Sequence, residues 1–151
     1  MPGSGPLIDW RRVCSRRPVL KKALFRKIDN HMLRVADLDA AIAFYQDKLG
    51  HRLLWRDQEA AGLAMAETDA ELVLHRKIGP ETDLLVDDAD RAFDRFLSAG
   101  GESVQPPFDI PIGRCARVRD PFGNIIVMLD QSKGTLAMDE LKRVTGVKRR
   151  K

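Results

Sequence analysis

The sequence contains one amphipathic segment twice, at residues 35–50 and again 51 residues later at 86–101. Each copy begins near an aspartate, Asp37 or Asp88, and ends at a glycine. An acidic first residue, an apolar stripe every three or four positions and a terminal glycine are typical of a capped surface helix. A repeat of this length predicts a duplicated structural unit, because each copy must bury its apolar face against a neighbour.

Hydrophobic periodicity predicts one strand before each helix and three strands after it, so the chain is expected to contain two βαβββ units. The first unit is predicted at residues 28–35, 37–50, 51–56, 62–67 and 71–76. The second is predicted at 82–86, 88–99, 102–105, 114–119 and 124–130. The prolines at 106, 107 and 111 predict a loop at 108–112, and a short helix is expected at 139–144.

The length of 151 residues and the hydrophobic fraction of 44% allow one globular domain. We place this domain at 27–134, with modules at 27–78 and 79–134. A basic extension at 1–26 precedes it, and a short helix with a basic tail at 135–151 follows it. The extension is interpreted as disordered, as a transit segment, or as the product of a start codon assigned too far upstream.

Charge is divided unevenly along the chain. The net charge of the whole chain is +4, yet residues 28–141 hold 12 basic and 21 acidic side chains. A face that binds nucleic acid needs clustered lysine and arginine, so the folded domain is not expected to bind it. No apolar run reaches the ~18 residues of a membrane span. Cys14 and Cys115 have no disulfide or metal-ligand spacing, which favours a cytoplasmic protein.

Two sequence motifs accompany the repeated units. His-Met-Leu-Arg-Val-Ala-Asp-Leu enters the first helix at 31–38, and Asp-Pro-Phe-Gly-Asn precedes the last strand at 120–124. Units and motifs together resemble the vicinal oxygen chelate superfamily, which includes glyoxalase I, bleomycin-resistance proteins, fosfomycin-modifying enzymes and extradiol dioxygenases. The resemblance implies an α+β fold in which two βαβββ modules form an open, eight-stranded, barrel-like sheet. It also implies a small-molecule ligand in the cavity and a homodimer.

In this superfamily, metal ligands lie on the first and last strands of each module, and the matching positions here are Asn30, Glu71, Glu81 and Val127. The first three offer oxygen atoms suited to Ni²⁺, Mn²⁺, Mg²⁺ or Zn²⁺. Val127 cannot bind a metal, which argues against extradiol cleavage. The alternative is that no metal binds and the carboxylates are solvated or paired with arginine. His31 would supply a ligand only after a one-residue slip, which strand alternation opposes.

The resemblance implies glyoxalase-like lyase or isomerase chemistry, in which Glu71 or Glu81 moves a proton between adjacent carbons of a metal-held substrate. We expect a small oxygenated or anionic ligand. Arg34 either clamps this ligand or neutralises one of the glutamates. The residues expected to contact the ligand are Met32, Arg34, Trp55, Val73, Asp83, Arg114 and Val127. The alternative function is metal-free binding of a small molecule, as in bleomycin-resistance proteins.

Overall fold

A computed structural model describes residues 22–150 of the chain, and these residues form the two predicted βαβββ modules. The first module consists of β1 (Lys27–Arg34), α1 (Leu38–Ala43), β2 (Leu53–Arg56), β3 (Ala60–Ala64) and β4 (Glu71–His75). The second consists of β5 (Glu81–Leu85), α2 (Ala89–Ser98), β6 (Glu102–Ile110), β7 (Gly113–Arg119) and β8 (Ile125–Leu129). The predictions made for residues 1–21 lie outside the described residues.

All of these strands join one mixed sheet in the order β2-β3-β4-β1-β5-β8-β7-β6. The central strands β1 and β5 are antiparallel, while β1 pairs with β4 and β5 pairs with β8 in parallel. The two modules therefore meet along β1 and β5, and they are related by an approximate twofold arrangement. The predicted α+β class with an open eight-stranded sheet is confirmed, and the sheet does not close into a barrel.

The helices begin as the repeat predicts. The side chain of Asp37 accepts a hydrogen bond from the backbone N–H of Ala40 at 3.0 Å, and Asp88 accepts one from Arg91 at 2.9 Å. Such caps satisfy donors that the first turn leaves free. The first helix continues as a π-helical turn at Phe44–Lys48. None of the helices in the described part of the chain has the length and apolar character of a membrane-spanning segment.

Each module buries its helix in a core of its own. In the first module the core consists of Leu38, Ile42, Ala61, Leu63 and Leu74. In the second it consists of Val86, Ala89, Ala92, Ala116, Val118 and Met128. Full burial of one large aliphatic side chain contributes about 1.5–3 kcal/mol, so each core holds its helix on one face of the sheet. The helices leave the opposite face of the sheet uncovered.

The segment that precedes β1 packs against the second module. Leu24 and Phe25 lie against the core under α2. Nearby, the Lys22 ammonium is 2.7 Å from a carboxylate oxygen of Asp87. The last residues of the predicted basic extension therefore contact the folded domain.

The predicted helix at 139–144 is wrong, because the chain forms a hairpin of β9 (Thr135–Met138) and β10 (Val144–Lys148) there. Asp139 accepts hydrogen bonds from the backbone N–H groups of Leu141 at 2.8 Å and Arg143 at 3.0 Å. Its side chain thus closes the hairpin turn instead of capping a helix, two roles that aspartate fills equally well.

The predicted loop at 108–112 is also wrong in part, because β6 continues to Ile110. Pro106 and Pro107 lie where the pairing of β6 with β7 shifts register, between Gln105 and Phe108. Proline is tolerated in an edge strand at such an irregularity, since no ladder hydrogen bond is lost. The extra length carries the β6–β7 turn toward the first module.

Candidate functional site

A cavity of about 620 Å³ lies on the sheet face of the first module that is opposite α1. Met32 and Val73 line it, whereas the alternate residues Leu33 and Leu74 pack under the helix. This division follows from the two-residue period of a strand. Trp55 of β2 forms a small apolar cluster with Met32 and Val73 and completes this wall.

The opposite wall comes from the second module and the hairpin. Ile110, Ile112 and Leu129 line the cavity from the second module. Leu136 and Met138 line it from β9. Sequence reasoning did not find these last two contacts, because it predicted a short helix at 139–144 and no hairpin. The C-terminal hairpin therefore forms part of the cavity.

Glu71 is the central polar group of the cavity. Its Oε2 accepts a hydrogen bond of 2.7 Å from the indole N–H of Trp55. The two side chains meet above Gly62, where an added Cβ would clash with the indole nitrogen. Burial raises the pKa of Glu71, although the Trp55 hydrogen bond opposes the shift. A carboxyl group of this kind can accept or donate a proton inside an apolar cavity.

A bulge in β1 adds a second carboxylate that the sequence analysis missed. Asp29 is the extra residue between Ile28 and Asn30 in the pairing with β5, and both Asp29 and Asn30 line the cavity. The Asn30 amide donates to Asp29 at 3.0 Å and to Asp83 at 3.2 Å. Its buried Oδ1 has no hydrogen-bond partner within residues 22–150. The Asn30 amide is thus held between two carboxylates, and its Oδ1 is shielded from solvent.

His75 lies at the rim of the cavity, at the end of β4. Its Nδ1 accepts hydrogen bonds from the backbone N–H groups of Lys77 at 2.9 Å and Ile78 at 3.1 Å. Since Nδ1 is the acceptor, Nε2 carries the proton of the neutral ring and can donate to a ligand. His75 was not among the site residues predicted from the sequence, although it lies on the same strand face as Glu71 and Val73.

The equivalent space in the second module is filled by its own side chains. Leu85, Cys115, Val127 and Leu129 are covered by Phe108, Ile110 and Ile112. Burial raises the pKa of the Cys115 thiol to about 12, so this thiol is not a nucleophile at neutral pH. The cavity is therefore one-sided although the scaffold is nearly symmetric. Val127, a predicted ligand contact, lies in this filled half.

Two further predicted site residues lie beside the seam between the modules and not among the residues that line the cavity. Asp83 is buried, and Glu81 forms an ion pair with Arg117. Burial and the neighbouring Glu81 raise the pKa of Asp83 to about 8. Asp83 Oδ1 has no hydrogen-bond partner within residues 22–150. Glu81 and Asp83 therefore belong to a buried polar network.

The two arginines that were predicted to contact the ligand lie elsewhere. Arg34 is exposed and does not line the cavity. Arg114 forms ion pairs with Asp90 at 2.8 Å and Asp109 at 3.1 Å. The predicted positions that do line the cavity are Asn30, Met32, Trp55, Glu71 and Val73.

The sequence profile of the glyoxalase/bleomycin resistance protein/dioxygenase superfamily matches residues 27–128, about two thirds of the chain. The chain belongs to this superfamily. The resemblance seen in the sequence is thus confirmed, and the matched region ends before the C-terminal hairpin. A comparison with curated proteins finds no significant match.

Solved structures share the superfamily fold. A methylmalonyl-CoA epimerase from Mycobacterium tuberculosis is 25% identical, with a TM-score of 0.62 over 74% of this chain and 91% of its own. A Streptomyces coelicolor methylmalonyl-CoA epimerase is 17% identical, with a TM-score of 0.60 over 73% of this chain and 99% of its own. A variant of homoprotocatechuate 2,3-dioxygenase from B. fuscum is 24% identical, with a TM-score of 0.52 over 87% of this chain and 36% of its own.

The positions that correspond to superfamily metal ligands do not fit a divalent ion here. Glu71 is held by Trp55, and Glu81 is held by Arg117. Within residues 22–150, no three His, Cys, Asp or Glu side chains lie close enough together to hold a metal. To bind a metal, Asn30 would have to share it with Glu71 and Glu81, which already bind Trp55 and Arg117. The donor set is therefore incomplete.

Arg117 is a further obstacle to metal binding at these positions. In the sheet, Val127 is flanked by Arg117 of β7 and by Asp83 of β5. The Arg117 side chain crosses β8 to reach Glu81 on β5. Its guanidinium thus brings a positive charge to a ligand position of the superfamily, where it repels a second cation.

We expect Ni²⁺, Mn²⁺, Zn²⁺ and Mg²⁺ at about 1 mM to leave the melting temperature of the purified protein unchanged within about 1 °C, since specific binding would stabilise the folded state. Differential scanning fluorimetry measures the shift, and elemental analysis measures bound metal. A stabilising shift in the wild type that disappears in Glu81→Gln would contradict this interpretation. The Glu67→Gln variant, an exposed change of the same kind, is the control.

Proposed function

We propose that this chain is a small-molecule-binding protein that uses its cavity without a metal ion. The single observation that carries the proposal is an apolar cavity whose polar groups are mainly hydrogen-bond acceptors. The carboxylates of Asp29, Asp57 and Glu71 are these acceptors. The ligand would have an apolar body and a neutral or cationic donor group, such as an alcohol or an amine.

The charge of the residues that line the cavity favours a ligand with a hydrogen-bond donor there and disfavours an anionic group. Asp29, Asp57 and Glu71 line the cavity, and none of the lysines or arginines within residues 22–150 lines it. An anionic group placed beside these carboxylates would be repelled, and the low polarity of the walls would strengthen that repulsion. Among the proposals made from the sequence, this favours metal-free binding over clamping of an anion by Arg34.

The proposal predicts that short aromatic probes bind in the order benzylamine, benzyl alcohol, benzoate. A Trp10→Phe variant labelled with 5-fluorotryptophan leaves Trp55 as the only reporter, and ¹⁹F NMR titration follows its signal. Glu71→Gln keeps an acceptor for the Trp55 N–H but removes the charge. It should lower the preference for benzylamine over benzoate by about fivefold, the effect of one partly buried charged hydrogen bond.

Glu67→Gln is the matched control, because Glu67 is exposed and lies outside the cavity. It should leave the order and the affinities unchanged. Tighter binding of benzoate than of benzylamine by the wild type would contradict the proposal. So would an unchanged Trp55 signal with all three probes.

Proton transfer is the second candidate function. The raised pKa of Glu71 in an apolar cavity supports it. The 25% identity with a methylmalonyl-CoA epimerase supports it as well, since an epimerase inverts a carbon centre. In this reaction Glu71 would take a proton from the ligand and return it, consistent with the lyase or isomerase class predicted from the sequence. Exchange of a ligand C–H hydrogen for deuterium that depends on Glu71 would be the signature of this reaction.

The homodimer and the cytoplasmic location stay predictions.

A further inference from the structure

A second concavity adjoins the cavity at the base of the C-terminal hairpin. It has a volume of about 430 Å³ and is lined by Pro111, Ser132, Lys133, Val147, Arg149 and Arg150. We call it the basic cleft. Pro111 lines the cavity too, so the two spaces are neighbours at the β6–β7 turn.

The two adjoining spaces carry opposite charge. All charged residues that line the basic cleft are cationic, whereas Asp29, Asp57 and Glu71 line the cavity. The Lys133 ammonium is 2.8 Å from Asp109, which partly neutralises it. Arg149 and Arg150 take part in none of the ion pairs within residues 22–150. Their guanidinium groups therefore face the cleft without a carboxylate partner in the described chain.

We infer that the basic cleft binds a phosphate ester at one end of the ligand whose apolar end occupies the cavity. This inference rests on the proposed function and adds a ligand class to it. Guanidinium groups match the geometry of phosphate oxygens, and two of them are present. The acidic cavity repels the phosphate, so the charge pattern fixes the direction in which such a ligand binds.

The C-terminal hairpin joins the two halves of this binding site. Its first strand supplies Leu136 and Met138 to the cavity, and the residues around its two ends supply Lys133, Arg149 and Arg150 to the cleft. The hairpin lies outside the region that matches the superfamily, which ends at residue 128. Recognition of the phosphate end is thus a property added to the shared scaffold by this segment.

The experiment compares 4-phenylbutyl phosphate with 4-phenylbutanol by ¹⁹F NMR of Trp55 in the Trp10→Phe protein. The phosphate ester should bind about five- to tenfold more tightly than the alcohol at low salt, the effect of two exposed ion pairs. This advantage should fall toward zero at about 0.5 M salt, because exposed ion pairs are screened. Inorganic phosphate should leave the Trp55 signal unchanged.

The double variant Arg149→Gln/Arg150→Gln should bind both probes equally and should bind the alcohol as the wild type does. Arg52→Gln/Arg91→Gln makes the same charge change at two exposed arginines outside the cleft, and it should keep the advantage of the phosphate. Equal binding of the two probes to the wild type overturns the inference alone. Failure of both probes to shift Trp55 overturns the proposed function and the inference together.

Discussion

Replacing Asp130 with alanine is expected to lower the free energy of unfolding by about 3 kcal/mol or more, because several backbone donors lose their acceptor. The Asp130 carboxylate accepts hydrogen bonds from the N–H groups of Ala89 at 2.8 Å, Arg114 at 2.9 Å and Ser132 at 3.1 Å. The residue is only 2% exposed, so water cannot replace it without rearrangement. It joins the start of α2 to β7 and to the segment after β8. Urea unfolding at neutral pH measures the loss.

The matched control is Asp88→Ala, which removes a single hydrogen bond at the start of the same helix from an exposed position. Loss of such a cap costs about 1 kcal/mol. Asp130→Asn keeps the shape but turns an NH₂ group toward at least one backbone donor, so it should also destabilise the protein. A loss for Asp130→Ala no larger than that for Asp88→Ala would show that water or another side chain satisfies these donors.

The wild type is expected to lose stability as the pH rises from about 5 to about 8, and Asp83→Asn is expected to abolish most of this loss. Burial and the neighbouring Glu81 raise the pKa of Asp83 to about 8 in the folded state. The folded protein therefore keeps a proton that the unfolded chain releases near its ordinary pKa of about 4. The stabilisation is fully present below that value and is lost as the pH approaches 8.

Each pH unit in this interval costs up to about 1.4 kcal/mol, so the total loss between about pH 5 and pH 8 is on the order of a few kcal/mol. Urea unfolding at the two pH values measures it. The polar and titratable groups around Asp83 are Asn30, Glu81, Arg117, Asp29 and the Cys115 thiol. Glu71→Gln is the comparison variant, because the pKa of Glu71 is also raised and contributes with the same sign. A wild-type stability that rises between these pH values would contradict the assignment.

Local signals in the sequence were sufficient for most of the fold. Asp37 and Asp88 cap helices as predicted, because a cap depends on a few neighbouring residues and on the apolar period that follows. Asp139 misled the prediction for the same reason, since its local pattern suits either a helix start or a hairpin turn. The pairing of β9 with β10 decided between them. The prolines before Phe108 misled the prediction of a loop. A strand accepts proline when it lies at the edge of a sheet, as β6 does, and the order of the strands decides which strand that is.

The part of the site that follows from strand alternation could be predicted from the sequence. Met32, Val73 and Glu71 line the cavity because the side chains of a strand alternate between its two faces. Asp29 was missed because a one-residue bulge changes that alternation, and nothing in the sequence marks the bulge. Arg114 was misplaced because the direction of a long side chain depends on its partners, here Asp90 and Asp109. The contacts of Leu136 and Met138 depend on a hairpin far along the chain.

Each end of the described chain packs against the more distant module: the segment before β1 contacts the second module, and the C-terminal hairpin contacts the first. Leu24 and Phe25 cover apolar surface of the second module, while the hairpin after the second module is tied to β2 through the Arg56 N–H and the Lys142 carbonyl at 2.8 Å. Either repeat unit, if cut out alone, would therefore lose a cover that only the other unit's flanking segment provides. Duplication made two equivalent parts, but this exchange of termini has made each of them dependent on the other.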